Sequence, residues 1–252
     1  MSEKKKKVCI VGTAGSKNLT PFQDNSYEFW GVNNAFISPS PDSHYDRWFE
    51  IHNIVFDESR GIWLRRGSPE FRGTPVKVYL EGLRNLNIPV YMRKLYPDMV
   101  PKGILYPIDE VVQHFGGLNY LTNTITLELA LALYEGFEEI AIYGVDMGLG
   151  TEYGSQRPSC ELLIGMALGR GIKVVIPDES DLLKTKFIYG IDEPQQDQFT
   201  KRLSHLKTEL IKKHKNSLTL KEKGEKEMYQ YGGSLKMLDE IYQLWANAND
   251  KF

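Results

Sequence analysis

The stretch Gly144-Val145-Asp146 is followed by Gly148, Gly150, Tyr153, Gln156 and Arg157, which gathers a carboxylate, a phenol and a guanidinium around a glycine-rich loop. A carboxylate at a strand end suits a ribose hydroxyl, and a guanidinium suits a phosphate. Four other short groups carry comparable chemistry. Gly12-Thr13-Ala14-Gly15-Ser16, with Asn18 beyond it, offers backbone N–H groups, two hydroxyls and close backbone approach to an anion. Asn33-Asn34 supplies two amides for a base, ribose or phosphate. Glu50, His52 and Asn53 form a polar group in which His52 is an acid, a base or a plain hydrogen-bonding residue. Thr122-Asn123-Thr124 begins a helical pattern, so Thr122 or Asn123 is its N-cap and the remaining donors face outward.

Each group has a purely structural reading as well. The spacing after Gly12 is not G-x-G-x-x-G and no G-K-[ST] follows, so standard dinucleotide and P-loop chemistry are excluded and a tight turn satisfies the same residues. Asparagines are common in turns, and a cap is sufficient work for Thr122 to Thr124. The chain has no D-x-D, H-E-x-x-H, C-x-x-C or G-x-S-x-G, so neither a tightly held metal nor a tightly bound cofactor is expected.

These residues sit at the ends of β-rich runs. The runs are 7–11, 28–32, 47–52, 88–92, 139–144 and 172–177, most of them continuously apolar, as a sheet covered on both faces requires. Between them the segment 122–137 carries Ile125, Leu129, Ala132 and Leu133 on one stripe and ends near Gly136, and 159–171 ends on glycine and leads into a strand. Strand alternating with helix predicts an α/β fold, a doubly wound, mostly parallel, Rossmann-like sheet. Ligands of such sheets bind at the carboxyl ends of the strands, which is where the chemistry-bearing residues fall.

The rhythm stops near residue 190. Residues 1–190 are therefore expected to form a Rossmann-like nucleotide-binding domain, and 191–252 a polar linker with a C-terminal helical hairpin. Leu203, Leu206 and Leu210, then Leu235, Leu238, Tyr242 and Trp245, recur at spacings of three and four, and Gly232-Gly233 is a place to break or kink the second helix. Two such stripes predict a packing seam and a homo-oligomer formed through these helices. Residues 201–226 are locally basic, which suits a solvated helix face or contact with nucleic acid.

Composition narrows the classes further. The chain has 252 residues, enough for a full core, and a net charge of −2 gives no general attraction to nucleic acid or membrane. Cys9 and Cys160 make neither a disulfide framework nor a zinc site, and no apolar run is long enough to cross a membrane. A cytoplasmic protein is expected.

Taken together, "VGTAGSKN", "GVNNAF", "YLTNTITLELALALYEGFEEIAIYGVDMG" and "GIKVVIPDESDLL" resemble a family of bacteriophage proteins labelled "morphogenetic protein", over about residues 7–190 and loosely the helical tail. The same stretches more distantly resemble the metal-independent bacterial sialyltransferases of lipooligosaccharide synthesis and the archaeal 6-hydroxymethylpterin diphosphokinase-like proteins. That resemblance implies a nucleotide held by Gly12 to Ser16, Asn33 or Asn34, Thr122 to Thr124 and Gly144 to Asp146. It also implies a catalytic histidine ahead of the helix that precedes the last strand, but this chain has no His between His114 and His205, and Tyr153, Gln156 and Arg157 stand there instead. A base for sugar transfer would then be His52, His114 or Asp146, with Arg157 on the leaving group.

Three functions follow. The first is a nucleotide-binding protein that uses a nucleotide-activated sugar on a nucleic-acid or glycan acceptor. The second is a non-catalytic binder of a nucleotide-derived molecule, for sequestration or sensing. The third is a phage assembly or interaction protein.

Overall fold

The computed structural model describes residues 6–148, 152–185, 188, 191 and 198–249, except for the side chains of 152, 153, 198–204 and 242–249. In chain order the elements are β1 (Lys7–Val11), β2 (Tyr27–Val32), β3 (Arg47–Glu50), β4 (Ile54–Asp57), β5 (Ile62–Arg65), β6 (Glu70–Phe71), β7 (Thr74–Pro75), α1 (Val76–Asn85), β8 (Val90–Met92), β9 (Gly103–Leu105), α2 (Ile108–His114), α3 (Thr124–Glu135), β10 (Glu139–Tyr143), α4 (Arg157–Gly169), β11 (Lys173–Val175) and α5 (Gln198–Asn249). The chain divides into two units, Met1–Thr185 and Lys186–Phe252.

The first unit is built on a seven-stranded sheet in the order β11-β10-β1-β2-β3-β8-β9. Every neighbouring pair in it is parallel. All six anticipated β-rich runs contribute a strand, and β9 adds a seventh.

Alternate residues of each strand serve opposite faces. Val8, Ile10, Trp30, Val32, Phe49, Ile140 and Ile142 point to the face covered by α2, α3 and α4. Trp48, Val90 and Met92 point to the other face and pack with Val76, Tyr79, Leu80 and Leu83 of α1. On that same side Cys9, Val11, Phe29 and Ala141 are closed by Phe22 and partly by Tyr45, which lie on connections rather than helices.

α3 is buried along Thr124–Leu133, not on one stripe alone. It lies on β1, β2 and β3 and is flanked by α2 and α4, so nearly every side meets protein. It ends at Gly136, whose φ of +78° is the left-handed closure that glycine allows.

The strand order reverses between β1 and β10, because β2, β3, β8 and β9 step away to one side before the chain crosses back. There the two strand ends touch through glycine. A Cβ on Gly12 would lie 2.2 Å from the Gly144 carbonyl oxygen, and Gly144 itself has a φ of +67°. Gly12 N–H donates to Tyr143 O at 2.8 Å and Ala14 N–H to Gly144 O at 2.9 Å. Gly12→Ala must therefore push two backbones apart; it is expected to lower stability by about 1–3 kcal/mol in a urea titration. An unchanged midpoint would show that the contact is slack.

The second unit differs from the hairpin anticipated for it. α5 is one unbroken helix of 52 residues that runs through Gly232 and Gly233. Each glycine costs about 1 kcal/mol in a helix interior, which does not force a break when no proline follows. Leu206, Leu210, Leu235 and Leu238 are each more than half exposed along it. The seam anticipated at Tyr242 and Trp245 involves side chains outside the described residues, as does most of the expected linker.

Candidate functional site

A cleft of about 730 Å³ opens at the carboxyl ends of the central strands. Of the sequence-predicted residues, Gly12, Thr13, Ala14, Asn33, Asn34, His52, Thr122, Asn123, Thr124, Gly144 and Asp146 line it. Groups spread over more than 130 residues of sequence thus meet at the sheet's switch point.

Asp146 is held by the loop after β1. The Ser16 hydroxyl accepts from Gly144 N–H at 2.8 Å and donates to Asp146 Oδ1. Both hydrogen-bonding roles of Ser16 are used inside the protein and its side chain is buried. Ser16 therefore positions Asp146, and neither Ser16 nor Gly15 lines the cleft.

The start of α3 forms the facing wall. Asn123 is the N-cap: its side chain accepts from Thr126 N–H at 2.9 Å, and Thr126 Oγ1 accepts from Asn123 N–H at 3.2 Å. Thr124 and Ile125, the first two helical residues, face the cleft with N–H groups that no intrahelical carbonyl can reach. Thr122 instead ties this helix start to α4 through Ser159 Oγ.

The third wall comes from β3 and β5. Glu50 is fully buried. His52 Nδ1 lies 2.7 Å from Glu50 Oε1, Arg65 Nε donates to Glu50 Oε2 at 3.1 Å, and the Tyr79 hydroxyl donates to the same oxygen. Burial by itself would raise the Glu50 carboxyl, but the His52 hydrogen bond, the Arg65 charge and the Tyr79 hydroxyl hold it below the usual carboxylate range. Burial drives the Tyr79 hydroxyl upward, and the adjoining carboxylate adds to that.

His52 Nδ1 also lies 2.6 Å from Arg65 Nη2. The position of one proton therefore sets the ring's role. With Nδ1 protonated it donates to Glu50, and Nε2 is left as a base; with Nδ1 bare it accepts from Arg65, and Nε2 carries the proton. Nε2 has no partner among the described residues.

One expected catalytic residue falls elsewhere. Arg157 does not line the cleft: its Nε donates to Glu161 at 2.8 Å and its Nη2 to the Lys184 carbonyl at 2.8 Å, one turn on and across a loop. The Tyr153 side chain lies outside the described residues. Cys9 and Cys160 are buried free thiols, and burial pushes Cys160 up to about 12. Among the described residues no cluster of His, Cys, Asp and Glu could hold a metal.

The residues that sequence reasoning missed are Arg65, Arg66, Phe71 and Arg72, which also line the cleft. They lie on the two small hairpins between β3 and α1. The available signal was a pair of X-Gly steps, Arg66-Gly67 and Arg72-Gly73, six residues apart in a β-rich stretch.

No family profile and no curated protein matches the chain. Among solved structures it is similar to the sialyltransferase CstII from Campylobacter jejuni in complex with CMP, at 14% identity and a TM-score of 0.42 over 77% of this chain and 97% of that one. It is also similar to CST-II with a trisaccharide acceptor and CMP, at 12% identity and a TM-score of 0.42 over 77% and 98% of the two chains. A third similar structure is the monofunctional α-2,3-sialyltransferase Cst-I from Campylobacter jejuni, at 11% identity and a TM-score of 0.44 over 85% and 97%.

Proposed function

We propose that the cleft binds a nucleotide-activated sugar and that the chain is a glycosyltransferase-like protein working without a resident metal. The observation that supports this most is the convergence on one cleft of the Gly12–Ala14 loop with Asp146, the open N-terminus of α3 facing them, and the Glu50–His52 pair on the third wall.

In this reading Asp146 accepts from a ribose hydroxyl, and the free N–H groups of Thr124 and Ile125 receive the phosphate. His52 Nε2 takes the proton of the acceptor hydroxyl while Glu50 accepts from Nδ1 and stabilises the charge formed on the ring. The acceptor oxygen bonds to the anomeric carbon as its bond to the phosphate oxygen breaks, and the nucleoside phosphate leaves with that electron pair. Arg157, in its Glu161 pair, takes no part.

The test is a calorimetric titration with CMP, UDP, GDP, ADP and their sugar conjugates. One nucleotide is expected to bind, and Asp146→Ala to weaken it roughly tenfold or more, the loss of a hydrogen bond to a charged group worth about 1.5–3 kcal/mol. Ser16→Ala should weaken it less, by freeing Asp146 to move. His52→Ala should keep nucleotide affinity and reduce transfer by about 10²–10⁴-fold. Binding without turnover in the intact protein would make it a binder of nucleotide-derived molecules; no binding at all would overturn the reading and leave an assembly role.

A further inference from the structure

The second end of the cleft has chemistry that a nucleotide does not use. Arg65-Arg66-Gly67-Ser68 is a two-residue hairpin turn closed in both directions, Arg65 N–H to Ser68 O at 2.8 Å and Ser68 N–H to Arg65 O at 3.0 Å. Arg66 has a φ of +53° and Gly67 of +82°. The next hairpin repeats the pattern, with Arg72 at +51° and Gly73 at +77°.

Turns with both central residues at positive φ favour Asn, Asp or Gly at the first position, because a Cβ crowds the backbone there. Arginine occupies that position in both turns. A disfavoured residue in one turn is a local accident; the same residue in two turns, with both side chains on one cleft, points to a task for the guanidiniums.

Their charge is also unspent. Arg65, between them and β3, is consumed by Glu50 and stacks 3.7 Å from the centroid of Phe71. Arg66 and Arg72 are exposed, and neither has a carboxylate partner among the described residues. Among the described residues the one carboxylate lining the cleft is Asp146, which receives the Ser16 hydroxyl.

We infer that Arg66 and Arg72 form an oxyanion subsite for a phosphate monoester carried by the second substrate, so that the acceptor is a phosphorylated hydroxyl compound. The word acceptor rests on the transferase reading; the subsite itself does not. Two uncompensated guanidiniums match the double charge of a phosphate monoester better than the single charge of a carboxylate.

The test compares glucose 6-phosphate, glucuronate and glucose by calorimetry at low salt, on the intact protein and on the R66N/R72N double variant. Asparagine removes the charge and suits a positive φ, so the turns are kept, and circular dichroism checks the fold. Glucose 6-phosphate is expected to bind at least tenfold more tightly than glucuronate, with glucose weaker still. The double variant is expected to lose at least tenfold for glucose 6-phosphate while its affinity for the nucleotide that the titration above selects changes less than threefold.

Equal binding of glucuronate would overturn the phosphate assignment. Equal binding of glucose, or glucose 6-phosphate affinity that survives in the double variant, would overturn the subsite. Loss of nucleotide affinity to the same extent would reassign the arginines to the nucleotide and overturn it as well. Binding of glucose 6-phosphate through these arginines in a chain that binds no nucleotide would sink the transferase reading and leave the subsite standing.

Discussion

Replacing Glu50 with alanine is expected to destabilise the protein by about 3–5 kcal/mol, the range for removing one partner of a buried ion pair. Glu50 is fully buried, and its loss strands Arg65, itself 5% exposed, with its main counter-charge gone. The Tyr79 hydroxyl is orphaned with it, and His52 Nδ1 loses one of its two partners. Denaturant unfolding followed by tryptophan fluorescence reads the loss. A change under about 1 kcal/mol would mean that water reaches Arg65 and that the network is not closed. The pH dependence has a defined sign. A carboxyl held low in the fold adds stability above its ordinary range, with a reference value of 4.5, and that share fades as pH falls through the folded value. Below that range the intact protein should approach the stability of Glu50→Gln.

The opposite effect is expected at Glu128. This residue faces the core from α3, is 0% exposed, and has no hydrogen-bond partner on either carboxylate oxygen among the described residues. Burial drives its carboxyl well above the ordinary value of 4.5. The folded protein thus holds a proton that the unfolded chain releases above 4.5, so this residue's contribution to stability falls as pH rises, at up to about 1.4 kcal/mol per pH unit. Glu128→Leu should remove that slope and raise stability at pH 7 to 8 by about 1–4 kcal/mol, as burial of an unpaired acid gives way to an apolar side chain. Urea midpoints of both proteins between pH 5 and 8 test it. Parallel pH profiles, or a less stable variant at pH 8, would show that Glu128 has a partner that compensates it.

The strands that carry the cleft were legible because most are continuous apolar runs, and two-sided burial leaves that mark in sequence. The cap was legible to within one residue, Thr122 or Asn123, since it is written locally, and the structure gives it to Asn123. The hairpin region was not. β6 and β7 are two residues long and rest on α1, so no period of their own announces them. Arg65 is invisible as a site residue until β3 brings Glu50 beside it from 15 residues away. Arg157 failed in the other direction: its place after a glycine-rich loop suggested phosphate, while the Glu four residues on, readable in "RPSCE", was the partner it took. The glycines of α5 misled because a Gly pair is a break only when something competes for the freed backbone.

The central place of β1 also sets an order of events during synthesis. Its neighbour β2 ends at Val32, but its other neighbour, β10, is complete only at Tyr143. At about 5–20 residues per second, the ribosome leaves Val8-Cys9-Ile10-Val11 with one unpaired edge for roughly 5–20 seconds. Such an edge is a template for misplaced pairing between nascent chains, and flanking charge opposes it. Lys6 and Lys7 stand at the start of that strand, and when β10 arrives they close against Glu138 at 2.7 Å and Glu139 at 3.6 Å. The charges beside the waiting edge become part of the bond that ends the wait.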